Sequence, residues 1–237
     1  MNKLSIFVAT CAAVVAVGTI GVISYPAAAA AGGTISGTVK YDGTAPAPKK
    51  VEITKDKDVC GLKPHFDESL IVGSNGGIAN AVVIVKGAKG ELKPQNVEFD
   101  QKGCDYVPHV LAFPAGSTVD IINSDGILHN IHTYSTANPS FNMAQPKFKK
   151  KIEEKVEKPE VIKVTCDAHG WMKGWWVATD TPYYAVTDDS GNFTIKDVPP
   201  GDYTVQVWQE KLGTEDQKVD VKDGATANAN FSLKPKS

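Results

Sequence analysis

The feature that most constrains the fold of this chain is the spacing of its turn signals. Clusters of Gly, Pro, Asp and Asn recur between short segments that are rich in β-branched and aromatic residues. Segments such as 33–41 and 117–123 are typical of β-strands, and many short strands with this punctuation predict a sandwich. We find no convincing helical period beyond residue 32. The sequence therefore predicts an all-β fold.

Residues 1–31 have the composition of an export signal. Lys3 precedes an apolar run from Leu4 to Ile23, and small residues follow as far as Ala31. This order predicts a signal peptide at 1–31 and a periplasmic or secreted protein. The apolar run is also long enough for an uncleaved membrane anchor, and only in that case do we expect a membrane contact.

The charge of the chain excludes some partners. All 25 basic residues are lysines, and the formal net charge is -2. This balance gives no sign of nucleic-acid binding, and the lack of arginine argues against bidentate phosphate clamps. We therefore expect no nucleic acid among the partners.

One loop carries three side chains that bind soft metals. Cys166, His169 and Met172 lie within seven residues, directly after an alternating apolar segment. Thiolate with imidazole selects copper or zinc, and two His with Cys and a weak axial Met form the donor set of a blue-copper electron-transfer site. One more imidazole is needed.

Strand alternation separates the candidates for that imidazole. In 127–132, His129 shares a face with its apolar neighbours, whereas His132 points to the other face. An inward-facing His129 can meet Cys166 at one end of a sandwich, which His132 can do only across a bulge. We predict His129 as the ligand. His109 and His132 are expected to be structural or surface residues, and their joining a metal site is left open.

Three cysteines lie beyond the N-terminal apolar run. In an oxidising compartment, two of three cysteines are expected to pair. The simplest assignment is a disulfide between Cys60 and Cys104, which leaves Cys166 as a thiolate. Three buried free thiols are the alternative. The charged segment 55–63 around Cys60 is expected to be a solvated loop.

These residues resemble the plastocyanin/amicyanin branch of the cupredoxins. His129-Asn130 is similar to the first-ligand segment of that family, and Cys166-x2-His169-x2-Met172 has the spacing of the short amicyanin-type loop. The resemblance implies a Greek-key sandwich with one copper ion, three equatorial ligands at His129, Cys166 and His169, and Met172 as axial ligand. Asn130 would then form a hydrogen bond between the two ligand segments.

The same resemblance covers roughly residues 95–180 and implies single-electron transfer with a redox partner protein, for which a cytochrome is one candidate. His169 would be the electron port and Trp171 part of its apolar rim. A Pro commonly stands in that family where this chain has Ala168, which leaves the ligation by Met172 open.

Catalysis is not expected. The chain lacks the paired His-x-His motifs of an oxidase cluster and the second loop Cys of a binuclear centre. We predict that it is not an enzyme. Two other classes remain as alternatives: a copper chaperone or storage protein without redox duty, and a structural or adhesive surface protein.

Segments on both sides of the copper segment resemble a carboxypeptidase-regulatory-like, transthyretin-type sandwich. The opening strand at 33–43 and the hairpin at 184–209 carry this resemblance. We predict a cupredoxin domain at 93–180 inserted into a split sandwich of 33–92 plus 181–237, with domains in series as the alternative. The nested arrangement requires direct pairing of N- and C-terminal strands.

Overall fold

The structure, a computed structural model, describes residues 32–235, and the predicted signal peptide lies outside them. The described residues form nineteen strands and one short helix, so the all-β prediction is confirmed. None of their helices has the length and apolar character needed to cross a membrane. In chain order the elements are β1 Gly33–Tyr41, β2 Lys50–Val51, α1 Lys57–Cys60, β3 His65–Phe66, β4 Val82–Lys86, β5 Asn96–Lys102, β6 Asp105–Val107, β7 Val110–Pro114, β8 Ser117–Asn123, β9 His129–Tyr134, β10 Asn142–Gln145, β11 Lys151–Val156, β12 Glu160–Thr165, β13 Lys173–Thr179, β14 Tyr184–Val186, β15 Asn192–Val198, β16 Gly201–Gln209, β17 Gly213–Val221, β18 Thr226–Asn228 and β19 Phe231–Leu233.

The main sheets form two sandwiches. Strands β1, β15, β18 and β19 form one sheet, which faces the sheet β14-β4-β16-β17 across an apolar core. We call this pair the split sandwich. The sheets β10-β9-β12-β13-β7 and β11-β8-β5-β6 enclose a second core and form the continuous sandwich, β5–β13. A third, smaller apolar layer joins the two sandwiches.

The N-terminal strand of the split sandwich pairs directly with C-terminal strands. Strand β1 runs antiparallel to β15 and parallel to β18 and β19. Strand β4 likewise pairs with β14 and β16. This pairing is the one that a nested arrangement requires. The domain limits themselves, 33–92 plus 181–237 and 93–180, stay a prediction.

Strand β4 shows why its sequence has no alternation. Val83 and Val85 pack into the core of the split sandwich, whereas Val82 and Ile84 face the layer between the two sandwiches. A strand that is buried on both faces reads as a continuous apolar run. The outward-facing residues of β4, Val82 and Ile84, therefore form part of the contact between the sandwiches.

The register of the continuous sandwich brings the two ligand segments to one end. Strand β9 runs antiparallel to β12, with Thr165 opposite His132. The first residue of β9, His129, therefore lies at the same end of the sheet as Cys166, which follows the last residue of β12. Antiparallel pairing places the start of one strand beside the end of the other. The pairing of β9 with β12 is therefore enough to bring His129 close to Cys166.

The segment 50–66, which we call the strap, packs against the continuous sandwich. It contains β2, α1 and β3, and a disulfide joins Cys60 to Cys104, as the sequence predicted. Ile53 and Val59 pack against the core of that sandwich. The lysines of 55–63 are exposed, as expected, but the strap is anchored rather than free in solvent.

Candidate metal centre

Three donor atoms converge at the end of the continuous sandwich. His129 Nδ1 lies 2.9 Å from His169 Nδ1, and Cys166 Sγ lies 4.0 Å and 3.8 Å from these two nitrogens. The side chains are buried, with 0, 0 and 1% of His129, His169 and Cys166 exposed. Cys166 is a free cysteine. The structure thus brings together the thiol and both imidazoles that the sequence selected.

The loop 166–172 is closed by its own backbone. The N–H of Met172 donates to the carbonyl of His169 at 2.9 Å, and the N–H of Cys166 donates to the carbonyl of Met172 at 3.2 Å. Met172 is 1% exposed and belongs to the same core cluster as Cys166. These bonds turn the donor side chains of one short loop inward.

Two of the three donor separations fit a trigonal metal. Bonds of about 2.0 Å to nitrogen and about 2.3 Å to sulfur in one plane would separate sulfur from each nitrogen by about 3.7 Å, and the nitrogens by about 3.5 Å. The observed sulfur–nitrogen distances of 3.8 and 4.0 Å match this closely. The two nitrogens are closer, at the distance of a hydrogen bond. A small outward shift of one ring would complete the fit.

Asn130 lies between the two ligand segments, where the sequence placed it. Its backbone N–H points to Cys166 Sγ at 3.4 Å. Its side-chain oxygen accepts hydrogen bonds from the backbone N–H groups of Asp167 and Ala168. The residue after the first ligand therefore fixes the start of the loop that carries the other donors.

Two carboxylates that the sequence did not single out support the imidazoles. His129 Nε2 lies 2.9 Å from Asp125 Oδ2, and His169 Nε2 lies 2.8 Å from Asp56 Oδ2. Asp125 also accepts hydrogen bonds from the N–H groups of Gly103 and Cys104. The position of Asp125, four residues before His129 in a turn, was the only available signal. For Asp56 there was none.

The two imidazoles have opposite pKa shifts. Burial lowers the pKa of His129, but the bonds to Asp125 and Cys166 outweigh burial and raise it to about 9. Burial also lowers the pKa of His169, and there the bond to Asp56 does not compensate. Without a metal, His129 therefore carries the proton shared by the two rings. A neutral His169 that donates Nε2–H to Asp56 accepts this proton with the lone pair of its Nδ1.

The other histidines lie elsewhere. His132 is partly exposed, and its ring is stacked on the ring of Tyr134. Its Nδ1 lies 3.1 Å from Asp167 Oδ1. His109 pairs with Glu210 of the split sandwich. The structure thus separates His109 and His132 from the three converging donors.

The structure does not leave an edge of the His169 ring open to solvent, which the role of electron port implied by the resemblance would require. Its ring is fully buried because the strap places Asp56 against Nε2. Trp171 lies beside it, with ring centroids 5.1 Å apart, and donates its indole N–H to the carbonyl of Cys104. The strap thus covers the Nε2 side of the His169 ring.

One family model matches part of the chain. The model of the carboxypeptidase regulatory-like domain matches residues 176–234. The C-terminal part of the predicted resemblance is thereby confirmed. No curated protein matches the chain in sequence.

Solved structures that are similar to the chain include cupredoxins. A purple cupredoxin from Nitrosopumilus maritimus is 23% identical, over 35% of this chain and 99% of its own, with a TM-score of 0.31. An amicyanin variant in the Cu(I) form is 15% identical, over 41% of this chain and 98% of its own, with a TM-score of 0.32. A copper-containing nitrite reductase from Thermus scotoductus is 25% identical, with a TM-score of 0.32 over 40% of this chain and only 25% of the reductase. TM-scores of this size carry no argument about a metal. The case for a metal site therefore rests on the geometry of the donor atoms.

Proposed function

We propose that the chain binds one copper ion through His129, Cys166 and His169, with Met172 as a weak fourth ligand, and carries single electrons. The observation that supports this most is the convergence of one thiol sulfur and two imidazole nitrogens within 4.0 Å, all buried. Soft sulfur with two imidazoles is the donor set of a copper electron-transfer site.

The residues around the donors suit that role. Copper supplies a one-electron couple when it is bound, and the chain supplies a rigid, dry cage. The loop hydrogen bonds and the Asn130 contacts hold the donors in one arrangement, so little has to move when the charge of the centre changes. The N–H of Asn130 near Cys166 Sγ withdraws negative charge from the sulfur and so tunes the reduction potential.

The setting of the protein is part of the same proposal. The export-like composition of 1–31 supports a periplasmic or secreted location, in which an unpaired cysteine such as Cys166 calls for a role. The natural counterpart is a redox partner protein, for which a cytochrome is one candidate. No enzymatic activity is proposed, because all three donors are buried.

Burial also ranks the alternative of copper delivery lower. Handing a metal to another protein requires that donors be reached from outside, and both outer imidazole nitrogens are blocked by carboxylates. Electrons, unlike ions, can cross a closed shell of packed side chains. A closed site therefore favours electron transfer over metal handover.

The experiment compares His129→Ala, His132→Ala and Cys166→Ser in copper-loaded protein. The unaltered protein should show an intense thiolate-to-copper absorption band and a reversible one-electron wave. Cys166→Ser should abolish the band, and His129→Ala should abolish or strongly shift it. His132→Ala, on the same strand but outside the donor cluster, should leave it unchanged. A colourless Cu(II) complex of the unaltered protein would overturn the proposal.

A further inference from the structure

The strap contributes a carboxylate to the centre from outside the continuous sandwich. Asp56 Oδ2 lies 2.8 Å from His169 Nε2, and 39% of the Asp56 side chain is exposed while the His169 side chain is fully buried. The carboxylate is therefore the boundary between the imidazole and the solvent. Nothing in the spacing of the ligand loop requires such a residue.

Asp56 is held in place by the elements around it. Its backbone carbonyl accepts hydrogen bonds from the N–H groups of Val59 and Cys60, at 3.0 and 2.8 Å. Cys60 is bonded to Cys104, and Val59 packs against the core of the continuous sandwich. Asp56 has a φ of 47°, in the left-handed region, where a short polar side chain is among the few tolerated. One turn of helix thus ties the carboxylate to the disulfide.

The same disulfide adjoins the carboxylate on the other imidazole. The N–H of Cys104 donates to Asp125 Oδ2 at 2.8 Å, and Asp125 bonds His129. The outer nitrogens of both rings therefore face carboxylates that are anchored on opposite ends of one cross-link, Cys60–Cys104. The two rings are oriented by one connected unit.

We infer that Asp56 is a positioning residue that orients His169 toward the metal and closes the solvent side of its ring. This inference rests on the proposed function. A carboxylate that accepts the outer N–H of a ligating imidazole fixes its tautomer, and the loss of such a partner typically lowers metal affinity about 10–100-fold. Its negative charge also stabilises the more positively charged oxidation state of the centre. Asp56 therefore lowers the reduction potential and slows metal loss.

The consequence for electron transfer is specific. The covered edge of His169 is not the electron port, so a partner has to approach the centre from another side. Trp171, half-buried and next to the His169 ring, is the nearest aromatic side chain on the loop. Removal of the Asp56 side chain should open the edge and accelerate electron exchange with small inorganic oxidants.

The experiment compares Asp56→Ala with Asp58→Ala, which removes an exposed carboxylate two residues away on the same helical turn. The first readout needs no metal: in ¹⁵N-resolved NMR the Nε2–H of His169 should give a slowly exchanging signal in the unaltered protein and in Asp58→Ala. Asp56→Ala should lose that signal, while the thermal unfolding of each variant shows that the fold is kept.

The second readout uses copper alone. Asp56→Ala should keep the thiolate-to-copper band, release copper to a chelator about 10–100-fold more readily and show a more positive reduction potential. Asp58→Ala should match the unaltered protein. The inference is overturned if both variants keep the NMR signal of His169. It is also overturned if both release copper equally readily and have the same reduction potential. If the NMR result holds but the unaltered protein binds no copper, the proposed function fails and the orienting role of Asp56 stands.

Discussion

Asn130 joins the two chain segments that carry the donors. Its side-chain oxygen accepts the N–H groups of Asp167 and Ala168, and its side-chain nitrogen donates to Asn142 Oδ1 at 2.6 Å. The residue is 7% exposed, so water does not replace these partners easily. Cys166 and His169 are therefore placed by the side chain of a residue that is not itself one of the donors.

Replacement of Asn130 by Ala should destabilise the loop more than the rest of the molecule. Two buried or half-buried N–H groups lose their acceptor, which costs about 1–3 kcal/mol in the free energy of unfolding. The backbone contact to Cys166 Sγ is kept, so the thiolate-to-copper band should shift rather than vanish. Asn142→Ala, which removes the exposed partner of the Asn130 side-chain nitrogen and an exposed hydrogen bond to Asp167 Oδ2 but keeps the Asn130 acceptor, is the control and should cost less in urea denaturation. Equal costs for the two variants would contradict this assignment.

At the scale of elements, the turn between β9 and β10 is organised by one carboxylate. Both oxygens of Glu160 accept hydrogen bonds from residues 135–138, including the backbone N–H groups of Thr136, Ala137 and Asn138. Burial raises the pKa of Glu160, but these bonds and the hydroxyl of Ser135 outweigh burial and lower it to about 2. Glu160, the first residue of β12, thus holds the loop that follows the neighbouring strand β9.

Glu160→Gln should loosen that loop. A neutral amide accepts these bonds more weakly, and we expect a loss of about 1 kcal/mol after allowance for solvent screening. Because the folded pKa of Glu160 is lowered, its contribution is complete above about pH 4.5 and is lost as the pH falls toward 2. The difference in unfolding free energy between the two proteins should therefore shrink over that range. A difference that is constant from pH 6 to 2.5 would refute the carboxylate as its cause.

The strap depends on its cross-link. The Cys60–Cys104 disulfide closes a loop with a sequence separation of 44, for which the chain-entropy model predicts about 4 kcal/mol of stabilisation. Its double replacement by Ala should lower the unfolding free energy by up to that amount and should expose His169 to histidine-modifying reagents. Leu62→Ala, an exposed site on the same strap, is the control and should change neither. Full protection of His169 in the double variant would show that packing alone holds the strap.

The elements show which features a sequence can predict. Alternation chose His129 over His132, and cysteine parity paired Cys60 with Cys104, because both signals depend on neighbouring positions or on simple counting. Asp56 lies 113 positions from His169, and its place follows from the strap, the disulfide and a left-handed backbone together. A pattern based on local spacing has no access to such a contact. The complete burial of the His169 ring depends on the same contact and was equally beyond the reach of local spacing.

At the scale of the whole molecule, the two sandwiches share an apolar layer with one buried ion pair at its side. Trp175 of the continuous sandwich meets Trp208 of the split sandwich, with ring centroids 5.2 Å apart. His109, between β6 and β7, pairs with Glu210 in the β16–β17 turn, and their side chains are 6% and 9% exposed. The layer joins strands β4, β14 and β16 of the split sandwich to strands β7 and β13 of the continuous sandwich. The layer therefore couples the stability of the two sandwiches.

The last prediction concerns the pH dependence of this coupling. Burial lowers the pKa of His109, but Glu210, aided by Glu68, outweighs burial and raises it above its usual value. A raised folded pKa means that the stabilisation is complete below about pH 6.5 and is lost as the pH rises through the folded value. Glu210→Gln should therefore cost about 2–3 kcal/mol in urea denaturation at pH 6 and clearly less at pH 9. Glu68→Gln, which alters a half-exposed and more distant carboxylate, should cost less at both pH values. A cost of Glu210→Gln that does not change with pH would mean that packing of the Glu210 side chain, rather than its charge, joins the sandwiches.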